Sequence, residues 1–151
     1  MGERIISPCV GVCSTTLGDR VCRGCQRTDS EIRDWPAFSS DERRRRLAEL
    51  DRLRAEVAAR FLVVEDAASL EAQLCRHRIR FRDGQPSLSR AVELLRVGRG
   101  RIRELSRYGL SGRDNQNAAT LQARITRDLL AAADRRQVTS ADFTDQPTPI
   151  P

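Results

Sequence analysis

The sequence predicts a mainly α-helical protein that begins with a small four-cysteine metal knuckle. Aromatic residues make up 4% of the 151 residues and charged residues 32%, which argues against one large, aromatic-rich core. The apolar residues are mostly leucine, alanine, valine and isoleucine, and leucine and alanine in particular favour helices. The remaining observation is a group of four cysteines near the N-terminus, arranged as two close pairs joined by a short loop.

The cysteines follow the pattern Cys-x3-Cys-x8-Cys-x2-Cys. Residues 1–40 hold few large apolar side chains, and segments below about 40 residues usually need a metal, disulfides or a partner to fold. A structural zinc ion contributes roughly 10–16 kcal/mol of apparent binding energy in finger-like peptides at neutral pH. The pattern therefore predicts one metal centre that is held by Cys9, Cys13, Cys22 and Cys25.

Zinc is slightly favoured as the metal of this centre. Two short-spaced cysteine pairs suit tetrahedral zinc, and all-cysteine sites of this kind are structural because no coordination position stays open. The spacing differs from the common ferredoxin runs, but four thiolates also suit an iron–sulfur cluster, so that alternative stays open. Arg20, Arg23 and Arg27 are near enough in sequence to offset the negative charge of either centre.

The expected cellular compartment favours a metal site over disulfide bonds at these cysteines. No apolar run approaches the roughly 18 residues of a membrane span, and the N-terminal residues lack the apolar stretch of a secretory signal. We therefore expect a cytoplasmic protein with no membrane partner, and reducing compartments disfavour disulfides.

The first predicted elements surround the cysteines. Residues 14–21 have β-branched flanks and a Gly-Asp turn, which predicts a small hairpin. Gly24 is expected to supply the positive φ of a tight knuckle. Thr28 and Glu31 form a capping box that begins a short helix, and Trp35 near the end of this helix is expected to pack it onto the knuckle.

Further helices follow along the chain. A second capping box at residues 39–42 begins a helix with an apolar stripe. Asp66 is expected to cap the helix after it. Residues 76–82 alternate like a strand, and residues 87–108 read as a helix that is strained or broken by internal glycines, with Gly109 as its cap.

The last predicted helix spans residues 112–136, and the proline-rich tail from 139 to 151 is expected to be disordered. The sequence thus divides into a knuckle plus helix (1–60), an arginine-rich and mostly helical extension (61–138), and the tail.

All of the net positive charge lies in one window. Residues 76–107 contain ten arginines and three acidic residues, a local balance of +7 in a chain of net charge +6. On a continuous helix, four of these arginines share one face, which suits a nucleic acid or another polyanion as well as a solvated surface: Arg96, Arg99, Arg103 and Arg107.

The sequence favours no catalytic function, although it does not decide the matter. His77 is the only histidine, and we find no glycine-rich phosphate loop, nucleophile–base pair or carboxylate cluster. Cys75 and His77 are too few to make a second metal site, and Cys75 is expected to be a packed helix residue.

The motif around the cysteines resembles a known domain family. The resemblance rests on Ser7-Pro8-Cys9-Val10, Cys13, Cys22-x-Gly24-Cys25-x-Arg27-Thr28, Glu31-Ile32 and Trp35. Over residues 5 to about 55 they are similar to the DUF1289 family of unknown function, described as YdhL-like predicted iron–sulfur proteins. The resemblance implies a metal centre at the four matching cysteines and no established activity, and the long arginine-rich extension departs from the family pattern.

Three functional hypotheses follow. The leading one is a non-catalytic cytoplasmic module with a structural four-cysteine site that presents helices to an unknown protein partner. The second is a protein that binds nucleic acid or another polyanion through the arginine face of residues 96–107. The third is an iron–sulfur redox protein.

Overall fold

The computed structural model describes residues 7–11 and 13–144, with side chains up to residue 136. Within these residues it contains five α-helices and two short strands, which confirms the predicted mainly α-helical class. The elements are α1 (Asp29–Asp34), α2 (Ser40–Ala58), β1 (Leu62–Val64), α3 (Ala67–Arg76), α4 (Ser87–Gly98), β2 (Leu110–Gly112) and α5 (Ala118–Thr144).

The chain forms two compact units. The first comprises the described residues up to Arg46 together with those from Leu130, and the second comprises Leu47–Leu129. The predicted boundary after residue 60 falls inside the second unit. No described helix is long and apolar enough to cross a membrane.

The segment between the cysteine pairs is a turn of 3₁₀ helix and not the predicted hairpin. This turn covers Ser14–Leu17 and ends at Gly18, which has a φ of 98°. The Thr16 hydroxyl donates to the Cys13 carbonyl at 2.7 Å, and such a local side-chain bond competes with strand pairing. The positive φ of the second knuckle falls on Gln26, at 63°, and not on Gly24.

The core of the second unit follows the predicted helical stripes. The predicted stripe of α2 is buried at Leu47, Leu50 and Val57, and Phe61 is buried just after the helix ends. Asp66 caps α3 as predicted, since its carboxylate accepts from the backbone N–H groups of two residues in the first turn.

The two strands are an antiparallel pair that the sequence pattern did not predict. Leu62 lies opposite Gly112, and Val64 opposite Leu110. The predicted strand at 76–82 is wrong, because α3 continues to Arg76 and residues 77–82, all of which the structure describes, contain no strand. Three residues per strand are too few for a clear alternation, and the partners lie far apart in sequence.

The predicted helix over residues 87–108 ends early. Helix α4 stops at Gly98, whose carbonyl accepts from Arg101 and Ile102 as the chain turns. A Cβ at Gly98 would lie 3.0 Å from the Ile102 side chain, so the turn packs Ile102 against the glycine. A separate 3₁₀ turn follows at Leu105–Tyr108, and Gly109 ends it with a φ of 71°, as expected of a cap.

Helix α5 starts later than predicted, because Asn117 accepts from the Thr120 N–H and marks the helix start. The helix backbone continues past residue 139 to Thr144, and the rest of the predicted tail, 145–151, lies outside the described residues. The buried stripe of α5 contains Leu121, Ile125 and Leu129, with Ala133 in place of the expected Ala132.

A buried polar network ties α2 to α4 within the second unit. Asp51, 5% exposed, accepts from the Arg82 guanidinium at 2.7 and 2.9 Å and from the Ser89 hydroxyl at 3.0 Å. Gln85 donates to Ser89 at 3.0 Å and accepts from the Arg82 N–H at 3.0 Å. Because each of these buried groups has a partner, the network stabilises one arrangement of the helices and the loop between α3 and α4.

Replacing Asp51 by alanine should destabilise the second unit by about 1–3 kcal/mol, the cost of leaving a buried hydroxyl and its neighbours without an acceptor. Urea unfolding followed by circular dichroism measures the change. Glu56→Ala, at an exposed position of the same helix, is the control and should shift stability by less than about 0.5 kcal/mol. Equal effects of the two substitutions would show that the network contributes nothing specific.

Candidate metal centre

Cys22 and Cys25 form a tight buried turn. Cys22 is 2% exposed and Cys25 is 1% exposed. The Gln26 N–H donates to the Cys22 carbonyl at 2.8 Å, and the Cys22 N–H donates to the Arg27 carbonyl at 2.9 Å, which closes the turn on both sides. The bridge between Val21 and Thr28 continues this pairing outward. The two-residue spacing therefore brings the second cysteine pair together in a fixed loop.

The sulfur of Cys22 lies among hydrogen-bond donors. Burial by itself raises the pKa of the Cys22 thiol, but hydrogen bonds from the backbone at Cys25, Ser14 and Gly24 and from the Cys25 thiol hold it below its ordinary value. Donors of this kind stabilise a thiolate, which is the form that binds metal ions. Gly24 thus supports the knuckle through its backbone, although not through a positive φ.

The sulfur of Cys25 faces a buried arginine. Burial raises the pKa of this thiol, and the hydrogen bond and charge of Arg27 only partly offset that effect. Arg27 is 4% exposed, its Nε lies 3.3 Å from the Cys25 sulfur, and its guanidinium carbon lies 4.8 Å from the centre of the Trp35 ring. Trp35 is buried as expected, and it packs on the knuckle through Arg27.

The first cysteine pair is arranged differently. Cys9 is exposed, and its sulfur accepts from the Gly11 N–H at 3.4 Å. Cys13 is half-buried, with its sulfur 2.9 Å from the Thr15 hydroxyl. None of the five cysteines forms a disulfide.

These two pairs are not gathered around one point. Among the residues that the structure describes, no three cysteine, histidine or acidic side chains are grouped closely enough to hold a metal ion. The four cysteines supply the soft sulfur donors that zinc and iron–sulfur clusters require. Of these, the Cys22 and Cys25 sulfurs lie within hydrogen-bond reach of each other. Cys75 is exposed at the end of α3, not packed as predicted, and it joins no such group.

Glu31 is the buried centre of an ion cluster whose two arginines are partly exposed. The predicted capping box is confirmed: the Thr28 N–H donates to Glu31 at 3.2 Å, and the Glu31 N–H donates to the Thr28 hydroxyl at 3.2 Å. Arg136 of α5 also donates to both carboxylate oxygens at 2.9 Å, and Arg46 of α2 donates at 2.9 Å. Sequence analysis missed both arginines because they are distant from Glu31 along the chain.

The arginines of this cluster determine the ionisation of Glu31. Burial raises the pKa of its carboxyl group, but the hydrogen bonds and positive charges of Arg136 and Arg46, with the Thr28 N–H, hold it below the ordinary value. The bidentate pair with Arg136 is the stronger geometry for a guanidinium and a carboxylate. Glu31 therefore stays negatively charged and connects α1 to the α2 and α5 segments of the same unit.

The predicted arginine face does not form. Because α4 ends at Gly98, Arg99, Arg103 and Arg107 do not continue the face that begins at Arg96. Arg96 pairs with Glu93 at 2.9 Å, and Arg107 pairs with Glu104 at 3.3 Å. The prediction of a shared face assumed one unbroken helix over residues 96–107, and the turn at Gly98 interrupts that helix.

Comparison with known families agrees with the cysteine motif. Residues 7–54 match the family described as Protein of unknown function (DUF1289), which confirms the predicted resemblance over about a third of the chain. The description of the matching family names neither a metal nor an activity. Neither a curated protein nor a solved structure shows significant similarity to the chain.

Glu31→Gln should lower stability at pH 7 by about 3 kcal/mol, near the low end of the cost of breaking a buried ion pair. The folded-state pKa of Glu31 is lowered, so its charge stabilises the protein above the unfolded-state value of about 4.3 and loses this effect as the pH falls below it. The stability difference between wild type and variant should therefore be constant from pH 7 to about 5 and shrink below that.

Urea unfolding at pH 7, 5 and 3.5 tests this expectation. Asp34→Asn, at an exposed position on the same helix, is the control and should behave like wild type throughout. A difference between wild type and Glu31→Gln that is the same at all three pH values would contradict the ionic role of Glu31.

Proposed function

We propose that the first unit is a non-catalytic metal-binding module in which Cys9, Cys13, Cys22 and Cys25 hold one structural metal centre. The observation that carries this proposal is the Cys22–Cys25 turn, where two buried sulfurs lie beside backbone N–H donors and a buried arginine. Zinc is favoured over an iron–sulfur cluster because four thiolates in two short-spaced pairs form a closed tetrahedral site.

The buried charge of Arg27 supports a negatively charged centre. An arginine is always protonated, and a buried charge is costly unless it is paired. Among the described residues, the Arg27 side chain contacts the Cys25 sulfur and the face of Trp35, and neither is a carboxylate. Four thiolates around Zn²⁺ carry a net charge of about −2, and this charge would balance the arginine.

The first cysteine pair lies close enough in sequence to complete the site. The backbone at Ser14, the residue after Cys13, already donates to the Cys22 sulfur. Gly11 separates Cys9 from Cys13 in a positive-φ conformation of 93°, which few other residues adopt easily. Metal binding would then order this segment against the preformed turn, and the binding energy would contribute to folding.

The proposed role of the centre is to position helices for a protein partner. Glu31 joins α1 to Arg46 of α2 and Arg136 of α5, so α1, which follows the knuckle, shares one ion cluster with these two segments. A cytoplasmic location would keep the thiols reduced and available to the metal. An iron–sulfur redox role uses the same four cysteines and is distinguished by the metal that the protein holds.

The protein purified without added metal should contain one zinc per chain and be colourless. Cys22→Ser and Cys25→Ser should each lower the zinc content to near zero, because each removes one of the two assembled ligands. Elemental analysis beside a visible spectrum measures both quantities. Cys75→Ser is the matched control, at an exposed cysteine outside the site, and should keep one zinc.

Two other results would count against a structural zinc site. Brown protein with absorption near roughly 400 nm and iron in place of zinc would support the iron–sulfur alternative. A chelated, fully reduced protein that keeps the native melting behaviour and amide dispersion of residues 7–46 would contradict a structural metal.

Arg27→Met should weaken zinc binding by about 10–100-fold, the usual effect of removing a group that hydrogen-bonds to a metal ligand. Methionine keeps an unbranched chain against Trp35 but lacks the charge and the N–H donor. Competition with a chromogenic chelator measures the affinity. Arg23→Met is the control, since the Arg23 side chain is 70% exposed and pairs with Asp19. If the two variants bind zinc equally well, Arg27 does not balance the centre.

A further inference from the structure

The two ends of the arginine-rich window, residues 76–107, meet in the second unit and form a surface. This surface does not depend on the continuous helix that was predicted there. The rings of His77 and Tyr108 lie 6.2 Å apart, centre to centre, with an angle of 32° between their planes. This contact places the end of α3 beside the 3₁₀ turn at Leu105–Tyr108, and so joins the two ends of the arginine-rich window. The surface consists of the ring pair and its neighbouring arginines: Arg76, His77, Arg78, Arg107 and Tyr108.

The arginines of this surface are turned to solvent. Arg76, His77 and Arg78 are exposed in succession, and the Arg107 side chain is 78% exposed. Arg107 pairs with Glu104, but that carboxylate is itself 64% exposed, and surface pairs of this kind are weak and screened by salt. None of the ion pairs found among the described residues includes Arg76 or Arg78. Three exposed positive charges are therefore carried by residues that are direct sequence neighbours of the two rings.

Arg78 has a backbone conformation that favours glycine. Its φ is 56°, and only one other described residue apart from the glycines has a positive φ. The Ile79 N–H donates to the Leu74 carbonyl at 2.9 Å, and the Arg78 N–H donates to the Cys75 carbonyl at 3.2 Å. These two bonds define a Schellman motif at the end of α3, in which the position of Arg78 is usually glycine.

The strain at Arg78 indicates a use for its side chain. A non-glycine residue in the left-handed region costs free energy, and such strain is concentrated at functional sites. Ile79 is 8% exposed and anchors the turn, so the arginine projects from a rigid support. Folding alone would be served better by glycine at this position.

We propose that this surface binds single-stranded nucleic acid. Arg76, Arg78 and Arg107 would neutralise phosphates, and the exposed His77 ring, with the half-buried Tyr108 ring beside it, would stack on bases. A single strand fits better than a duplex, because rings stack only on bases that are free of their own stack. The surface lies in the second unit and includes none of the four cysteines, so it stands independently of the metal centre.

The test uses the full chain and a fluorescein-labelled 12-nucleotide uridine oligomer, with fluorescence anisotropy as the measurement. Three phosphate contacts predict a salt slope of about −2, so affinity should fall about 20-fold between 50 and 200 mM salt. Arg76→Gln combined with Arg78→Gly should reduce the slope by about 1.4. Arg127→Gln, an exposed arginine of α5 in the same unit, should leave binding unchanged.

Arg78→Gly separates binding from folding. Glycine removes the backbone strain, so the variant should melt at or above the wild-type temperature while it binds the oligomer more weakly. Tyr108→Ala should weaken binding at least about fivefold, the lower limit of base stacking on an aromatic ring, whereas Tyr108→Phe should keep it.

Four results would each overturn the proposal. These are no anisotropy change at 50 mM salt, equal binding by wild type and the double arginine variant, equal binding of a 12-base-pair duplex, and binding only to vesicles that contain phosphatidylserine. Zinc content measured on the same samples keeps this outcome separate from that of the metal centre.

Discussion

Buried charge is the constraint on which the first unit depends. Its apolar core is thin, yet it buries a carboxylate at Glu31 and a guanidinium at Arg27, each 4% exposed. Burying an unpaired charge is costly, so each must have a partner of opposite sign. Glu31 has Arg46 and Arg136, whereas Arg27 has the sulfur of Cys25. The second of these pairings connects the fold to the proposed metal centre, because a metal-bound thiolate carries the charge that the arginine requires.

The second unit is organised in a more usual way. Leucine side chains from several helices fill its interior, and Asp51 closes a fully satisfied polar network beneath α4. A buried network of this kind favours one packing arrangement over its competitors. The strained turn at Arg78 lies at the edge of this ordered region, which explains how the chain tolerates an arginine where glycine is favoured.

The two proposals assign different chemistry to different parts of the chain. The cysteine module matches the DUF1289 family over residues 7–54, whereas the basic surface lies beyond that match. A sulfur site with a buried counter-charge is suited to holding structure, and an exposed group of arginines and rings is suited to a charged, flexible ligand. Metal content and oligomer binding therefore report on separate functions.

The sequence by itself determined the local features. The capping box of Thr28 and Glu31, the cap at Asp66 and the helical stripes depend on residues within a few positions of each other. The cysteine motif and its family match depend on residue identities along one continuous stretch, 7–54. Only the tertiary structure decided the arginine partners of Glu31, the pairing of β1 with β2, the network of Asp51 and the meeting of His77 with Tyr108. Each of these contacts joins residues that are far apart in sequence, so no local pattern encodes it. The end of α4 at Gly98 lies between the two: the glycine was visible in the sequence, but the packing of Ile102 against it required the folded chain.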